Sequence, residues 1–503
     1  MKLVKRKSGV LYPIQSFFKK SRYDIFIGEW GNFEVIDVIK RMGFKVLQIL
    51  PINPICRISG SPYSGNSAFG FEYAFISVDK MIQDGLIKDK EVQDIIENFL
   101  NDEIKDYSKI YYGYAFEFKK RVLEVIFEKN YSLLKSELDK FISYNSWCIN
   151  FAVYNVLKEF HNFKPWYEWP EEYRNYSPSL VKKISQQASD RFYFYVFTQF
   201  LCWDQYMEFK RYANDRGVLI FGDIPIYVAH DSVDVWANKE FFKVREDGCP
   251  EFVAGVPPDY FSSTGQLWGN PVYNWDALQK QNFKWWIERL GFCFKIYDWV
   301  RIDHFRGLIA FWQIPFGSED ATTGSWQEAK PYEFFDTLLD YFSVLPIIAE
   351  DLGVITPDVD NFRDHYGTAG MRVLQFAFSD PSNIHLPHNY SSNTVAYTGT
   401  HDNNTTKGWF RKENVNLDFL SSYLGRKDIN EDNISDIFIE LILGSVANLV
   451  IIPLQDLLNL DERYRMNTPG TSGDNWIYRD DLLISKLESL ASKYYNLNRV
   501  YKR

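Results

Sequence analysis

Eight short runs of β-branched and aromatic residues punctuate this chain, at residues 10–14, 46–52, 218–228, 299–305, 345–352, 371–378, 394–400 and 449–454. Each has strand length, and several stop at Gly, Pro or Asp, as strands do where a turn follows. Between them lie stretches with an apolar residue every three or four positions, such as 32–42 and 283–292, which suit crossover helices. Strands alternating with amphipathic helices predict an α/β fold, a (β/α)8 TIM barrel forming a single unit over residues 1–503.

The spacing of the runs is uneven. Residues 53–217 separate the second from the third, far more than one crossover needs. Within them Leu134, Leu138, Phe141 and Ile142 share one helical face, and 91–100 and 118–129 also carry the helical period. A mostly helical insertion is therefore expected over 84–195. Between the third and fourth runs the segment 254–276 is dense in Gly, Pro and Trp. Residues 229–282 are accordingly expected to form a second, loop-rich insertion over the end of the barrel.

Three of the runs break abruptly into charge. Trp299-Val300-Arg301-Ile302-Asp303-His304-Phe305-Arg306-Gly307 ends in cations, a carboxylate and a histidine. Pro346-Ile347-Ile348-Ala349-Glu350-Asp351-Leu352-Gly353 ends in two carboxylates, and the run through Thr394 ends in Thr400-His401-Asp402-Asn403. Side chains alternate faces along a strand, so Arg301 and Asp303 point together, and only one of Glu350 and Asp351 can join them. A cation beside a carboxylate favours its charged form, which a nucleophile requires, although a structural ion pair reads the same way. Acids at the carboxyl ends of three strands are the pattern of an active site on a parallel barrel, and paired carboxylates are the equipment of glycosidic chemistry.

Composition narrows the choice. The net charge is −10 without a run of five like charges, which argues against a nucleic-acid partner. No apolar run approaches a membrane span, and the basic start Lys2-Leu3-Val4-Lys5-Arg6-Lys7 is not followed by the apolar stretch of a signal peptide. Five scattered cysteines without a C-x-x-C pair suggest reduced thiols in a cytoplasmic protein and no structural zinc. The aromatic share, 18%, fits a core filled with rings, with some left as platforms for the apolar faces of sugars.

Further motifs run nearly end to end: Ser61-Pro62-Tyr63, Phe221-Gly222-Asp223-Ile224-Pro225-Ile226-Tyr227-Val228, Asp231-Ser232-Val233-Asp234-Val235-Trp236, Ala254-Gly255-Val256-Pro257-Pro258-Asp259-Tyr260-Phe261, Thr264-Gly265-Gln266-Leu267-Trp268-Gly269-Asn270-Pro271, Pro453-Leu454-Gln455-Asp456 and Arg465-Met466-Asn467-Thr468-Pro469-Gly470-Thr471. With the three acid-bearing segments, and in this order, they make the chain resemble glycoside hydrolase family 77, the 4-α-glucanotransferases called amylomaltases or disproportionating enzymes.

The resemblance implies Asp303 as nucleophile, Glu350 as general acid/base and Asp402 as the third carboxylate, gripping sugar hydroxyls and helping to distort the ring. It implies Arg301, His304, His401 and Asp223 as the polar shell of the reacting glucose, with Tyr63 as its stacking platform. Gln266 and Trp268 belong to the loop over the acceptor side, and Asn467 is placed among the substrate-binding residues. The implied substrate is a maltooligosaccharide or a glycogen- or starch-derived glucan, handled without cofactor or metal by a monomer or homodimer. An α-glucan hydrolase of the same clan is the rival, with a silent carbohydrate-binding protein behind it. Only residues 455–503 follow the eighth run, too few for the β-sandwich that trails the barrel in amylases. Departures from the family pattern fall at 17–24, at 53–60 and at Ile477-Tyr478, and they bear on donor subsites and chain-length preference.

Overall fold

The computed structural model describes residues 2–19, 21–57, 59–100, 109–258, 262–353, 355–412, 415–471, 473–479 and 483–503. Among them twelve strands form: β1 (Lys7–Leu11), β2 (Val46–Gln48), β3 (Leu219–Ile224), β4 (Phe252–Val256), β5 (Gln266–Pro271), β6 (Trp299–Ile302), β7 (Ala310–Pro315), β8 (Ser325–Glu328), β9 (Ile347–Ala349), β10 (Gly370–Val373), β11 (Thr394–Tyr397) and β12 (Leu449–Pro453). Eight of them make one parallel sheet in the order β10-β11-β12-β1-β2-β3-β6-β9. A single parallel bridge, Ile348 to Ala369, spans the remaining gap between β9 and β10. This is the expected (β/α)8 barrel, and each of the eight sequence runs contains residues of one of its strands.

The strands are shorter than the runs that announce them. In the second run Ile49, Leu50 and Ile52 follow β2 without joining it, and in the fourth Phe305 lies in a 3-10 turn. These residues are buried all the same, because the loops above the barrel cover its rim. Burial, not the hydrogen-bond ladder, explains their apolar character.

Two layers of core follow from the alternation of strand side chains. Leu11, Val46, Phe221, Ile348, Met371, Val373, Val395, Tyr397, Leu449 and Ile451 pack inside the barrel, with Met466 and Trp476 in the same cluster. Ile220, Ile224, Val300, Ile302, Ile347, Ala349 and Ala396 belong to the outer layer beneath the helices. Parity then assigns the polar residues. Phe221 points inward, so Asp223 does too; Trp299 packs against the inner cluster, so Arg301 faces the lumen; Ile348 is inside, so Glu350 continues inward and Asp351 outward.

Between β2 and β3 the chain forms helices, among them Tyr112–Tyr144, Trp147–Phe160 and Ser189–Asp215. The first half of Tyr112–Tyr144 buries Phe116, Phe118, Val122, Leu123, Ile126 and Phe127, whereas its second half buries Leu138 and Phe141. The four remaining strands form an antiparallel sheet in the order β5-β4-β7-β8, joining the excursion after β3 to the excursion after β6. The segment 229–282, expected to be loop-rich, thus contributes two strands and two short helices, Val233–Ala237 and Trp275–Lys280. Its pattern hides β5 because Gln266, Leu267, Trp268 and Gly269 are all exposed, so no buried face imposes an alternation. After β12 come a helical turn and the helix Leu483–Val500, and among the described residues no strand follows.

Candidate active site

Asp303 directly follows β6 and Glu350 directly follows β9, while His401 and Asp402 lie four and five residues past the end of β11. Asp223 sits within β3, in register with Arg301 of β6. Parallel strands all point their carboxyl ends the same way, so the barrel gathers these groups on one rim.

Arg301 organises one side of the cleft. Its Nη1 donates to Asp223 Oδ2 at 2.6 Å and its Nη2 to Asp303 Oδ1 at 2.7 Å. The guanidinium and Asp223 are buried, but the Asp303 side chain keeps 31% of its exposure, so the accessible carboxylate is Asp303. Loss of water pushes the Asp223 carboxyl up, against the pull of Arg301. Asp223 Oδ1 is buried without a hydrogen-bond partner among the described residues.

Glu350 is held by backbone. Its Oε2 accepts from the His304 amide at 2.6 Å and its Oε1 from the Leu352 amide at 3.0 Å. The His304 amide reaches it because His304 adopts a left-handed conformation, φ 50°, at the turn after β6. Removal from water pushes the Glu350 carboxyl up to about 8; Arg301 opposes this and the Asp303 charge reinforces it. The neighbouring Asp351 faces away. It lies in the outer layer with Arg363 and Arg372 on its Oδ2 and the Met371 amide on its Oδ1, an anchor for the loop.

On the opposite side, Asp402 Oδ1 accepts from Asn467 Nδ2 at 2.6 Å, and His401 Nε2 lies 3.3 Å from Asp402 Oδ2. Desolvation would raise the Asp402 carboxyl, but His401 and Asn467 override it and hold it well below the usual carboxylate range. Burial likewise would lower His401, and the Asp402 charge raises it instead. Tyr63 bridges the two sides. Its hydroxyl donates to Asp223 Oδ2 at 2.8 Å and lies 3.0 Å from His401 Nε2, and its ring stacks on His401 at 5.3 Å.

The rim opposite the C-terminal segment is built by β5. Trp268 Nε1 donates to Gln266 Oε1 at 3.1 Å, and the indole meets His304 edge-on at 4.8 Å. Burial pushes the His304 imidazole down to about 4. Tyr260 and Phe261, the aromatic end of the motif at 254–261, lie outside the described residues. No group of three or more His, Cys, Asp or Glu side chains that could hold a metal ion occurs among the described residues.

The structure therefore brings together the eleven residues that the resemblance implies: Tyr63, Asp223, Arg301, Asp303, His401, Asp402 and Asn467 in one connected network, and Glu350, Trp268 and Gln266 in a second group joined through His304. It adds Trp476, whose ring lies 5.7 Å from Tyr63 and 5.8 Å from His401. Its only signal in the sequence is its place in the aromatic Asn475-Trp476-Ile477-Tyr478 stretch, which assigns it no contact.

The model of the family described as 4-alpha-glucanotransferase, glycoside hydrolase family 77, matches residues 14–483. A 4-alpha-glucanotransferase of Aquifex aeolicus is 41% identical over 480 residues, 94% of this chain and 95% of that one. One from Streptococcus pneumoniae is 39% identical over 511 residues, 99% and 98% of the two chains. Among solved structures, the amylomaltase of Streptococcus agalactiae in complex with acarbose superposes with a TM-score of 0.92 at 34% identity, covering 99% of this chain and all of its own. The chain belongs to the 4-alpha-glucanotransferases of glycoside hydrolase family 77.

Proposed function

We propose that this protein transfers segments of α-1,4-glucan to the 4-hydroxyl of another glucan or of glucose by a retaining double displacement. Family membership across nearly the whole chain supports the activity. The observation that carries the division of labour is geometric: Glu350 is held by two backbone amides beside an exposed, arginine-bound Asp303, and burial pushes its carboxyl up.

In the first half, Asp303 attacks the anomeric carbon while Glu350 delivers its proton to the glycosidic oxygen, so the carbon–oxygen bond breaks and the acceptor-side chain leaves with a free 4-hydroxyl. In the second half, a new 4-hydroxyl enters, Glu350 takes its proton, and the oxygen displaces Asp303 from the anomeric carbon. Two inversions give retention. A residue serving as acid and then base works best with a pKa near the working pH, which is where burial puts Glu350. Asp402, charged through His401 and Asn467, accepts hydroxyls of the ring as it flattens. Tyr63 supplies the floor under the ring, and the buried Asp223 holds the Tyr63 hydroxyl and the Arg301 guanidinium in place. Each step balances in protons and electrons among these residues and the substrate.

The five free cysteines suit work in a reducing cytoplasm, and no described helix is long and apolar enough to cross a membrane. Incubation with maltotriose tests the reading. Transfer yields glucose with maltopentaose and longer chains and little gain in reducing ends. Hydrolysis yields glucose and maltose with reducing ends rising in step, and a silent binding protein leaves maltotriose unchanged.

A further inference from the structure

Trp476 lies more than 400 positions from Tyr63 in the sequence, yet its ring touches both partners of the Tyr63–His401 stack. It is buried, at 7% exposure, and belongs to the cluster that fills the barrel. Its backbone is unusual. Trp476 has φ 65°, a left-handed conformation that bulky residues avoid, and it follows Gly473 and Asp474, which are also left-handed. Such a conformation persists where surrounding contacts impose it, and these outliers collect at ligand clamps.

The contacts that impose it come from three parts of the chain. The Trp476 amide donates to the Met466 carbonyl at 2.7 Å. The Trp476 carbonyl accepts from the Tyr112 hydroxyl at 2.8 Å, at the start of the long helix between β2 and β3. Three residues on, Arg479 is buried against Asp24 and donates from Nε to the Phe17 carbonyl at 3.0 Å. Tyr112 also touches the loop that delivers Tyr63. A β-carbon on Gly60, itself at φ +67°, would lie 2.7 Å from the Tyr112 ring, so only glycine lets the loop pass there. Arg57 of that loop stacks over Phe116, one turn further along the helix, at 3.6 Å. One side chain thus ties the loop before Tyr63 to the backbone of Trp476, and Phe17, Asp24, Arg57 and Gly60, all from the divergent segments, make the contacts around this tie.

We propose that Trp476 is a positioning residue: it clamps the Tyr63–His401 pair from behind and so fixes the floor beneath the reacting sugar and the charge partner of Asp402. The inference rests on the reading of Tyr63 as that floor. The ring contacts of Trp476 are with Tyr63 and His401, so its effect passes through them. Misplacement by about 1 Å of a group that orients substrate costs on the order of 10²-fold in rate.

A double-mutant cycle tests it. Trp476→Leu, which keeps apolar volume but not the ring, is expected to lower kcat for maltotriose by roughly 10- to 10²-fold with a smaller change in KM. Trp476→Phe, which restores a ring, is expected to recover most of the loss. In a Tyr63→Ala background the kcat loss caused by Trp476→Leu should shrink several-fold, because one of the two rings it positions is gone and only its contact with His401 remains. Turnover by Trp476→Leu at the parental level overturns the proposal, as does an equal loss in both backgrounds. Should Trp476→Leu not fold, Trp476→Phe is carried through the same cycle, with a smaller loss that must again shrink beside Tyr63→Ala. A fully active Tyr63→Ala protein removes the platform reading and this inference with it; an impaired Tyr63→Ala protein with an undiminished Trp476 effect removes this inference alone.

Discussion

Glu350 and Asp402 follow two barrel strands, β9 and β11, and both open onto the same cleft, yet their surroundings treat a carboxyl group in opposite ways. Around Glu350 the chain supplies two backbone amides, the Arg301 guanidinium and the negative charge of Asp303, and burial wins. Around Asp402 it supplies a histidine and an asparagine side chain, and the charged form wins. The contrast shows how one rim can run acid chemistry and charge stabilisation at a single pH. Burial outweighs two amide donors at Glu350, whereas the Asp402 side chain keeps 40% of its exposure and has a histidine within reach.

The largest expected effect breaks the comparison on the β6–β9 side. Asp303→Asn and Glu350→Gln should each remain folded and lose several orders of magnitude in transfer, since proton transfer alone contributes about 10²–10⁴-fold. The two losses differ in kind. A donor whose leaving group needs no proton should restore the first half-reaction of Glu350→Gln, seen as a burst of released leaving group, and should do nothing for Asp303→Asn. A burst from Asp303→Asn would remove it as nucleophile.

Proton affinity gives a second test of the same side. Transfer needs Glu350 protonated at the outset, so kcat/KM should fall about tenfold per pH unit above about 8. Stability should respond as well. The folded carboxyl, at about 8, binds its proton more tightly than the unfolded one, near the ordinary 4.5. This contribution is therefore full below about 4.5 and is lost as pH rises through about 8. Glu350→Gln escapes that loss. Its Tm relative to the parent should rise between pH 5 and pH 9 in calorimetry, and a constant difference would contradict the assigned proton.

On the other side, Asp402→Asn should cost on the order of 10²–10³-fold in kcat, the range for losing one preorganised group in the transition state. It should also lower the His401 titration observed by NMR, because the Asp402 charge is what raises it. Asn467→Ala removes only a hydrogen bond to that charge and should cost roughly tenfold, with the Asp402 carboxyl becoming easier to protonate. Equal losses for the two variants would mean that Asn467 does more than hold Asp402.

The two sides also differ in how far the sequence discloses them. Arg301, Asp303 and Glu350 stand where apolar runs break into charge, and strand parity alone pairs Arg301 with Asp303. Choosing Glu350 over Asp351 needs the phase of β9, which Ile348 supplies only once its place inside the barrel is known. The residues that brace Asp402 and His401 are another matter. Asn467 and Trp476 arrive on an irregular segment after the last strand, where no period ties side chains to faces. The antiparallel sheet fails for a related reason: β5 is exposed and β8 is four residues of mostly polar side chains, so neither has a buried face to write an alternation into the sequence.

The smallest effect concerns that sheet, and it separates transfer from hydrolysis rather than fast from slow. The intermediate on Asp303 is consumed by whichever hydroxyl is bound and aligned, so a transferase must hold a glucan where water would otherwise stand. Trp268 is placed for this. It projects from β5 with 36% exposure, packs edge-on against His304, whose amide holds Glu350, and lies near Tyr227; in the proposed reaction this is the side from which an acceptor approaches. Its indole N–H is engaged by Gln266, which leaves a ring face as its offering to a sugar. Trp268→Ala should leave formation of the intermediate within a few-fold of the parent, because no contact to Asp303, Asp402 or Tyr63 is lost; the loss of one stacking contact of about 1 kcal/mol bears on acceptor binding. The fraction of intermediates captured by water should rise instead, read as reducing ends gained per glucose released from maltotriose, and high acceptor concentration should suppress it. A variant slowed in both halves with an unchanged product ratio would place Trp268 in the donor site and move the acceptor to another wall of the cleft.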